Sequence, residues 1–181
     1  MPVREAQVEE TPYGRYVTSE GWFVHNLGEA LAVRLARGGA LYPLEPREAP
    51  FPDLGVNVRV LWPGEANALY HAEDAQEGFL VLSGECLLIV EDEERPLRAW
   101  DYFHSPAGTR HVLVGAGDGP CAVLMIGARG DTESLLYPVS EAAARHGASV
   151  ASETTDPDEA YGSVEWPQGF EPIELPWPPA A

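Results

Sequence analysis

Two groups of side chains able to hold a metal ion stand in the middle of this chain. The first, within Pro63 to Glu77, offers His71, Glu73 and Glu77; the second, within Asp101 to His111, offers His111. On an extended strand, residues two apart project from one face ~6.5–7 Å apart along the chain. His71 and Glu73 therefore point the same way and can bracket one ion. Asp74-Ala75-Gln76 is a short polar break, and a turn there carries Glu77 onto the neighbouring strand, across from the first two. His111 follows Pro106-Ala107-Gly108, where proline fixes its own φ and glycine permits a sharp bend, so the strand starting at His111 can be aimed inward. Imidazole with carboxylate suits zinc, manganese, iron or nickel better than calcium or magnesium. An ion so held, with a position left open, polarises a carbonyl or activates water or O2.

Convergence of that kind needs strands, and the chain is built for them. Short runs rich in Val, Leu, Ile, Phe and Tyr alternate with turn residues, 18 glycines and 17 prolines are spread along the sequence, and helical periodicity is scarce. This is the pattern of an all-β sandwich or barrel. Strands are predicted near Trp22–Leu27, Val56–Trp62, Ala68–Glu73, Gly78–Ser83, Glu85–Glu91, Leu97–Trp100, His111–Gly115 and Cys121–Ala128. The charge run Glu91-Asp92-Glu93-Glu94-Arg95 reads as a solvated hairpin tip. One short helix is expected at Val139–His146, capped by Ser140 and stopped by Gly147. At 181 residues the chain fits a single domain: an N-terminal arm with strands over 1–55, a barrel core over 56–128, and a C-terminal part over 129–181. The first twenty or so residues read as irregular. Beyond Glu153 the chain is an extended arm rich in Pro, Asp, Glu and Trp, and Trp166, Phe170 and Trp177 suggest that it docks on the barrel or on a second subunit.

Composition removes whole classes of function. A formal charge of -18 disfavours nucleic acid and anionic membranes, both of which need clustered cations. All 11 basic residues are arginine, so a lysine Schiff base, covalently held pyridoxal phosphate and a P-loop lysine are excluded. Cys86 and Cys121 lie in apolar strand-like runs and read as small core residues. No stretch suits a signal peptide or approaches the ~20 apolar residues of a membrane span, so a reducing, cytoplasmic setting is the expectation. Trp100, Tyr102 and Phe103 read as core, and His104 as a core or pocket-wall residue. Arg59, Asn67 and Gln76 could reach a ligand at a barrel mouth or serve structure alone.

The two clusters resemble the paired motifs of the cupin family, a small jelly-roll barrel (double-stranded β-helix) that often holds one metal ion. The first motif is written G-x5-H-x-H-x3–4-E-x6-G and the second G-x5-P-x-G-x2-H-x3-N. Glu77 and Gly84 match the Glu and closing Gly of the first motif; Pro106, Gly108 and His111 match the centre of the second. With three residues before the Glu, His71 takes the first His position and Glu73 the second, and the resemblance then implies the ligand set His71, Glu73, Glu77 and His111. Glu73 departs from histidine, Gly64 lies one residue too far from His71, and Gly115 stands in place of Asn. With four residues before the Glu, Tyr70 and Ala72 fill the His positions, His71 faces outward, and the barrel holds no metal.

Similar cupins include sugar-phosphate isomerases, dioxygenases and decarboxylases. The resemblance thus implies a barrel that binds one divalent transition metal (zinc first, then manganese, iron or nickel) and a small polar or sugar-like metabolite, commonly as a homodimer. Whether it catalyses an isomerase- or dioxygenase-like reaction or acts as a non-catalytic sugar-binding module stays open, and no catalytic residue is assigned.

Overall fold

Inward and outward residues alternate along the central strands, and two antiparallel sheets close over the inward set. The computed structural model describes residues 2–46, 48–129, 134–162, 164 and 171–173. In chain order the strands are β1 (Val8–Thr11), β2 (Gly14–Val17), β3 (Ala32–Arg34), β4 (Ala40–Pro43), β5 (Leu54–Leu61), β6 (Ala72–Glu73) and β7 (Glu77–Ser83). There follow β8 (Glu85–Val90), β9 (Glu93–Arg98), β10 (Tyr102–Ser105), β11 (His111–Ala116), β12 (Cys121–Ala128), β13 (Leu135–Leu136), helices α1 (Glu141–Ala144) and α2 (Pro157–Tyr161), and β14 (Glu171–Ile173). One sheet runs β10-β7-β12-β5-β4-β3-β14, the other β11-β8-β9. Between them lies a core of Leu61, Phe79, Val81, Cys86, Leu88, Leu113, Cys121, Val123 and Met125, drawn from both sheets. This is the all-β jelly-roll barrel that the sequence predicts, and both cysteines are free and buried in it.

Two glycines are dictated by close approach. Gly84 turns β7 into β8 at φ 73°, and a Cβ there would lie 2.7 Å from the Pro120 carbonyl oxygen. Gly115 lets the turn after β5 cross β11: a Cβ would lie 2.2 Å from the Trp62 carbonyl oxygen, where Gly64 N–H donates to Gly115 O and Gly115 N–H to Glu65 O. That crossing accounts for glycine where the second motif carries Asn.

The structure corrects several expectations. Residues 8–17 form a hairpin, not an irregular stretch. Its four-residue strands are mostly polar, with Val8 and Val17 paired at one end, so periodicity is silent, and Glu9 accepting from the Tyr16 hydroxyl at 2.8 Å helps tie them. Strands β3 and β4 were likewise invisible, being short and joined through Gly38 and Gly39 at positive φ. Trp22–Leu27 is not a strand: Trp22 makes one isolated bridge to Glu5, Val24 is 90% exposed, and Asn26 caps a 3-10 turn at Leu27–Glu29. Ala68–Glu73 is extended only at its end.

The expected strand at Leu97–Trp100 begins earlier, inside the charge run, because β9 pairs through Glu93 and Glu94 with β8. Only Glu91 and Asp92, at positive φ, form the hairpin tip. Among the described residues β9 has no strand on its outer side, and it carries exposed Glu93, Glu94, Arg95 and Pro96. Trp100 adopts φ 76° in the turn before β10 and is 76% exposed, and Tyr102 is 64% exposed. Neither is core; only Phe103 packs inward.

The expected helix is the four-residue α1. Ser140 Oγ accepts from Ala143 N–H at 3.0 Å, and Ala142 and Ala143 pack on the outer face of the smaller sheet with Tyr70, Ile89 and Val112. A second helix, α2, was not expected, although Asp156 as cap and Pro157 in the first turn are a legible start signal. No helix among the described residues is long and apolar enough to cross a membrane. Of the C-terminal arm, β14 pairs with β3, so part of it docks on the barrel; Trp166, Phe170 and Trp177 lie outside the described residues.

Candidate metal centre

His71 reaches the barrel interior because residues 66–71 run antiparallel beside β11. Ala66 bridges Val114 and His71 bridges His111, with His111 N–H donating to His71 O at 2.8 Å. Tyr70, one residue earlier, turns the other way. Tyr70 is fully buried under α1, its hydroxyl accepting from Asp92 N–H at 3.0 Å, while His71 is buried on the inner side. The alignment that turns His71 outward is thereby overturned. Glu77 opens β7 and shares the inward face with Phe79, and His111 opens β11 after the Pro106–Gly108 turn.

His71, Glu77 and His111 meet: one ligand atom from each lies within 4.8 Å of the other two. Glu73 stands outside this trio, with Oε1 3.4 Å from His71 Nε2. The tautomers are set by the backbone. His71 Nδ1 lies 2.7 Å from Leu69 O, and His111 Nδ1 lies 3.0 Å from Thr109 O and 3.4 Å from Ser105 Oγ. A carbonyl only accepts, so each Nδ1 carries the proton and each Nε2 faces the cluster with a lone pair. His111 Nε2 is enclosed and has no hydrogen-bond partner among the described residues, although Glu77 Oε2 lies 3.2 Å away. A buried lone pair aimed at a carboxylate, its ring fixed from behind, is the arrangement of an imidazole metal ligand.

Phe79 and Phe103 close two sides of the His111 ring, with centroids at 5.2 and 5.7 Å. Tyr137, buried, lies 6.1 Å from the His71 ring and 5.8 Å from that of Tyr161, and burial pushes its hydroxyl up to about 12. Sequence reasoning missed Tyr137 and Ser105. For Ser105 the signal existed, since it directly precedes the Pro106 turn; for Tyr137, beyond the motifs, none did. A cavity of about 360 Å³ has Gln76, Glu77, Tyr102 and His104 on its wall, so His104 is a pocket-wall residue. A larger one, about 430 Å³, is bounded by Arg37, Leu69, Thr154 and Tyr161 and includes none of the four candidate ligands. Asn67 serves structure, its Oδ1 accepting from Leu113 N–H at 2.8 Å.

His71 and Glu73 couple folding to pH while no ion is bound. Burial works against charge on His71, but the Glu73 carboxylate, the Leu69 carbonyl and the Glu77 charge outweigh it, and the pKa stands above the ordinary value. The His71 imidazole holds Glu73 below the usual carboxylate range against the opposing effect of burial. The Glu73 contribution is present above its unfolded pKa and lost as pH falls through the lowered one. The His71 contribution is complete below its unfolded pKa and lost as pH rises through the raised one. Ion-free protein should therefore draw most from the pair between pH ~4.5 and ~6.5. Melting temperatures measured across pH should show this maximum flattened in Glu73→Gln; superimposable profiles would dismiss the coupling.

Residues 57–127 match the family model described as Cupin domain. Among solved structures, the chain is similar to a sugar phosphate isomerase from a cupin superfamily, from Silicibacter pomeroyi, at 25% identity and TM-score 0.55, over 61% of this chain and 78% of that one. It is also similar to a candidate sugar phosphate isomerase from Acidithiobacillus ferrooxidans, at 27% identity and TM-score 0.46, over 48% of this chain. The chain spans 56% of the length of that protein. A Cupin 2 conserved barrel domain protein from Salinispora arenicola aligns at 22% identity and TM-score 0.41, over 45% of this chain and 71% of that one. No curated protein matches.

Proposed function

The chain belongs to the cupin superfamily through its barrel, and from that premise we propose a metal-dependent enzyme that isomerises a small hydroxylated metabolite, its ion held by His71, Glu77 and His111. The observation that carries the reading is the pair of imidazoles whose Nδ1 protons are committed to backbone carbonyls. Their Nε2 atoms face the carboxylates, that of His71 3.4 Å from Glu73 Oε1 and that of His111 3.2 Å from Glu77 Oε2 with no hydrogen-bond partner among the described residues. Two nitrogens and a carboxylate oxygen fit zinc, manganese, iron or nickel, with zinc first. A bound divalent ion supplies Lewis acidity, polarising a substrate carbonyl.

In this reading Glu73 is the proton-transfer group. It lies beside the trio, and a carboxylate is ionised at neutral pH, so its Oε1 can take a proton from the hydroxyl-bearing carbon next to a carbonyl and return it to the carbonyl carbon, while the hydroxyl proton passes to the former carbonyl oxygen. That supplies the general base that no sequence motif indicates. Phe79 and Phe103 exclude water from the His111 side. The likeness to the Silicibacter pomeroyi isomerase supports the reaction class.

The position of Glu73 also favours a second reading. If Glu73 joins as a fourth ligand, the protein alone completes a tetrahedral shell, as structural zinc sites do, and the barrel is a non-catalytic binding module. Elemental analysis of protein purified without a histidine tag tests the common premise, and about one equivalent of transition metal per chain is expected. Metal-free protein that also fails to take up zinc or manganese on dialysis would remove both readings.

A further inference from the structure

Strand β5 sends Asn57, Arg59 and Leu61 to the inward face. Leu61 belongs to the core between the sheets, and Asn57 and Arg59 lie in register with Met125 and Val123, which belong to it too. Arg59 donates from Nη1 to Gly38 O at 2.9 Å, but its Nε is enclosed without a partner among the described residues, and so is Oδ1 of Asn57. The chain carries 29 acids against 11 arginines, and Arg15, Arg34, Arg95, Arg110, Arg129 and Arg145 each meet a carboxylate. Arg59 meets none among the described residues. Burial lowers its pKa to about 10, which leaves the guanidinium charged at neutral pH. A positive charge kept on the inner wall, with no carboxylate against it among the described residues, can take an anion from outside.

We propose that the barrel takes a hydroxylated organic anion, its carboxylate or phosphate bound by Arg59 and one hydroxyl donated to Asn57 Oδ1. The two orphaned atoms are complementary in kind, a donor beside an acceptor. Strand geometry puts the two residues ~6.5–7 Å apart along the chain, which matches a small acid bearing a hydroxyl a few bonds from its charged end. The row holding Asn57 continues through Met125 to Phe79, whose ring packs on His111, so the hydroxylated part of the ligand lies toward the centre and its charge away from it. In that orientation the inference rests on the metal-centre reading. Anion recognition by Arg59 does not.

The test is calorimetric titration of the full chain at neutral pH with gluconate, glucose 6-phosphate and glucose, with metal content measured on each preparation. At least one anion should bind about tenfold or more tighter than glucose, and the two anions tell carboxylate from phosphate. Arg59→Gln should remove that preference and leave metal content unchanged. Arg59→Met gives a second readout: removing an uncompensated inward charge should raise the melting temperature of ligand-free protein while abolishing anion binding. Anion preference lost in Arg59→Gln from protein without metal supports the subsite and sinks only its orientation toward the centre. Equal binding of glucose and both anions, no anion binding at millimolar concentration, or a preference that survives Arg59→Gln overturns the proposal and leaves the two atoms to internal water.

Discussion

His111→Ala should abolish the metal retention proposed for the His71, Glu77 and His111 trio. The ring supplies one of three converging donors, and it alone combines complete burial with an unpartnered Nε2. Loss of a direct ligand should exceed the 10–100-fold cost of losing an outer-shell partner, so affinity should fall ~100-fold or more. The barrel should survive, because Phe79, Leu113 and their neighbours form a core that does not depend on the ring. Glu73→Gln, by contrast, should keep its ion within about tenfold, since Glu73 stands outside the trio. Metal content by mass spectrometry with circular dichroism on both variants separates these outcomes, and a His111→Ala protein as metal-rich as the parent would refute the assignment.

Gly115→Ala should be the most damaging single methyl in the barrel core. Its Cβ would lie 2.2 Å from the Trp62 carbonyl oxygen and 3.0 Å from that of Leu61. Those are backbone atoms held by two hydrogen bonds across the crossing, and Glu65 ties the turn further by bonding Arg34 and the Trp62 N–H. Nothing flexible can yield. A cost of ~3–5 kcal/mol is expected, which lowers the melting temperature by roughly 10 °C for a chain of this size. Gly119→Ala is the control, since nothing lies within 4 Å of its Cβ position, and it should be near neutral. Equal melting temperatures for the two variants would contradict the close approach.

The parts of the barrel that could be read from sequence are those where local chemistry and burial agree. β5, β7, β8 and β12 alternate apolar residues across a buried face, and the spacing of His71, Glu77 and His111 follows from strand periodicity and one proline–glycine turn. What stayed hidden depends on partners far along the chain. β1 and β2 are short and mostly polar, and β3 and β4 are too short for periodicity. Trp22–Leu27 looked like a strand because it is apolar, but among the described residues its one pairing is the bridge from Trp22 to Glu5. Trp100 and Tyr102 have core-like side chains in a turn and on an outer face. Arg59 looked like any strand arginine, because whether a carboxylate faces it is decided only by the fold. Asp156-Pro157 was a missed signal rather than a hidden one.

The free margin of the smaller sheet bears on assembly. Along β9, Glu93, Glu94 and Arg95 present charge to any incoming chain, and Pro96 contributes no amide hydrogen to a ladder. Fibril-like growth and domain exchange both begin when one molecule's backbone docks on another's open border. On this flank such templating is blocked, so crowded solutions of the protein should resist cross-β polymerisation from β9 outward.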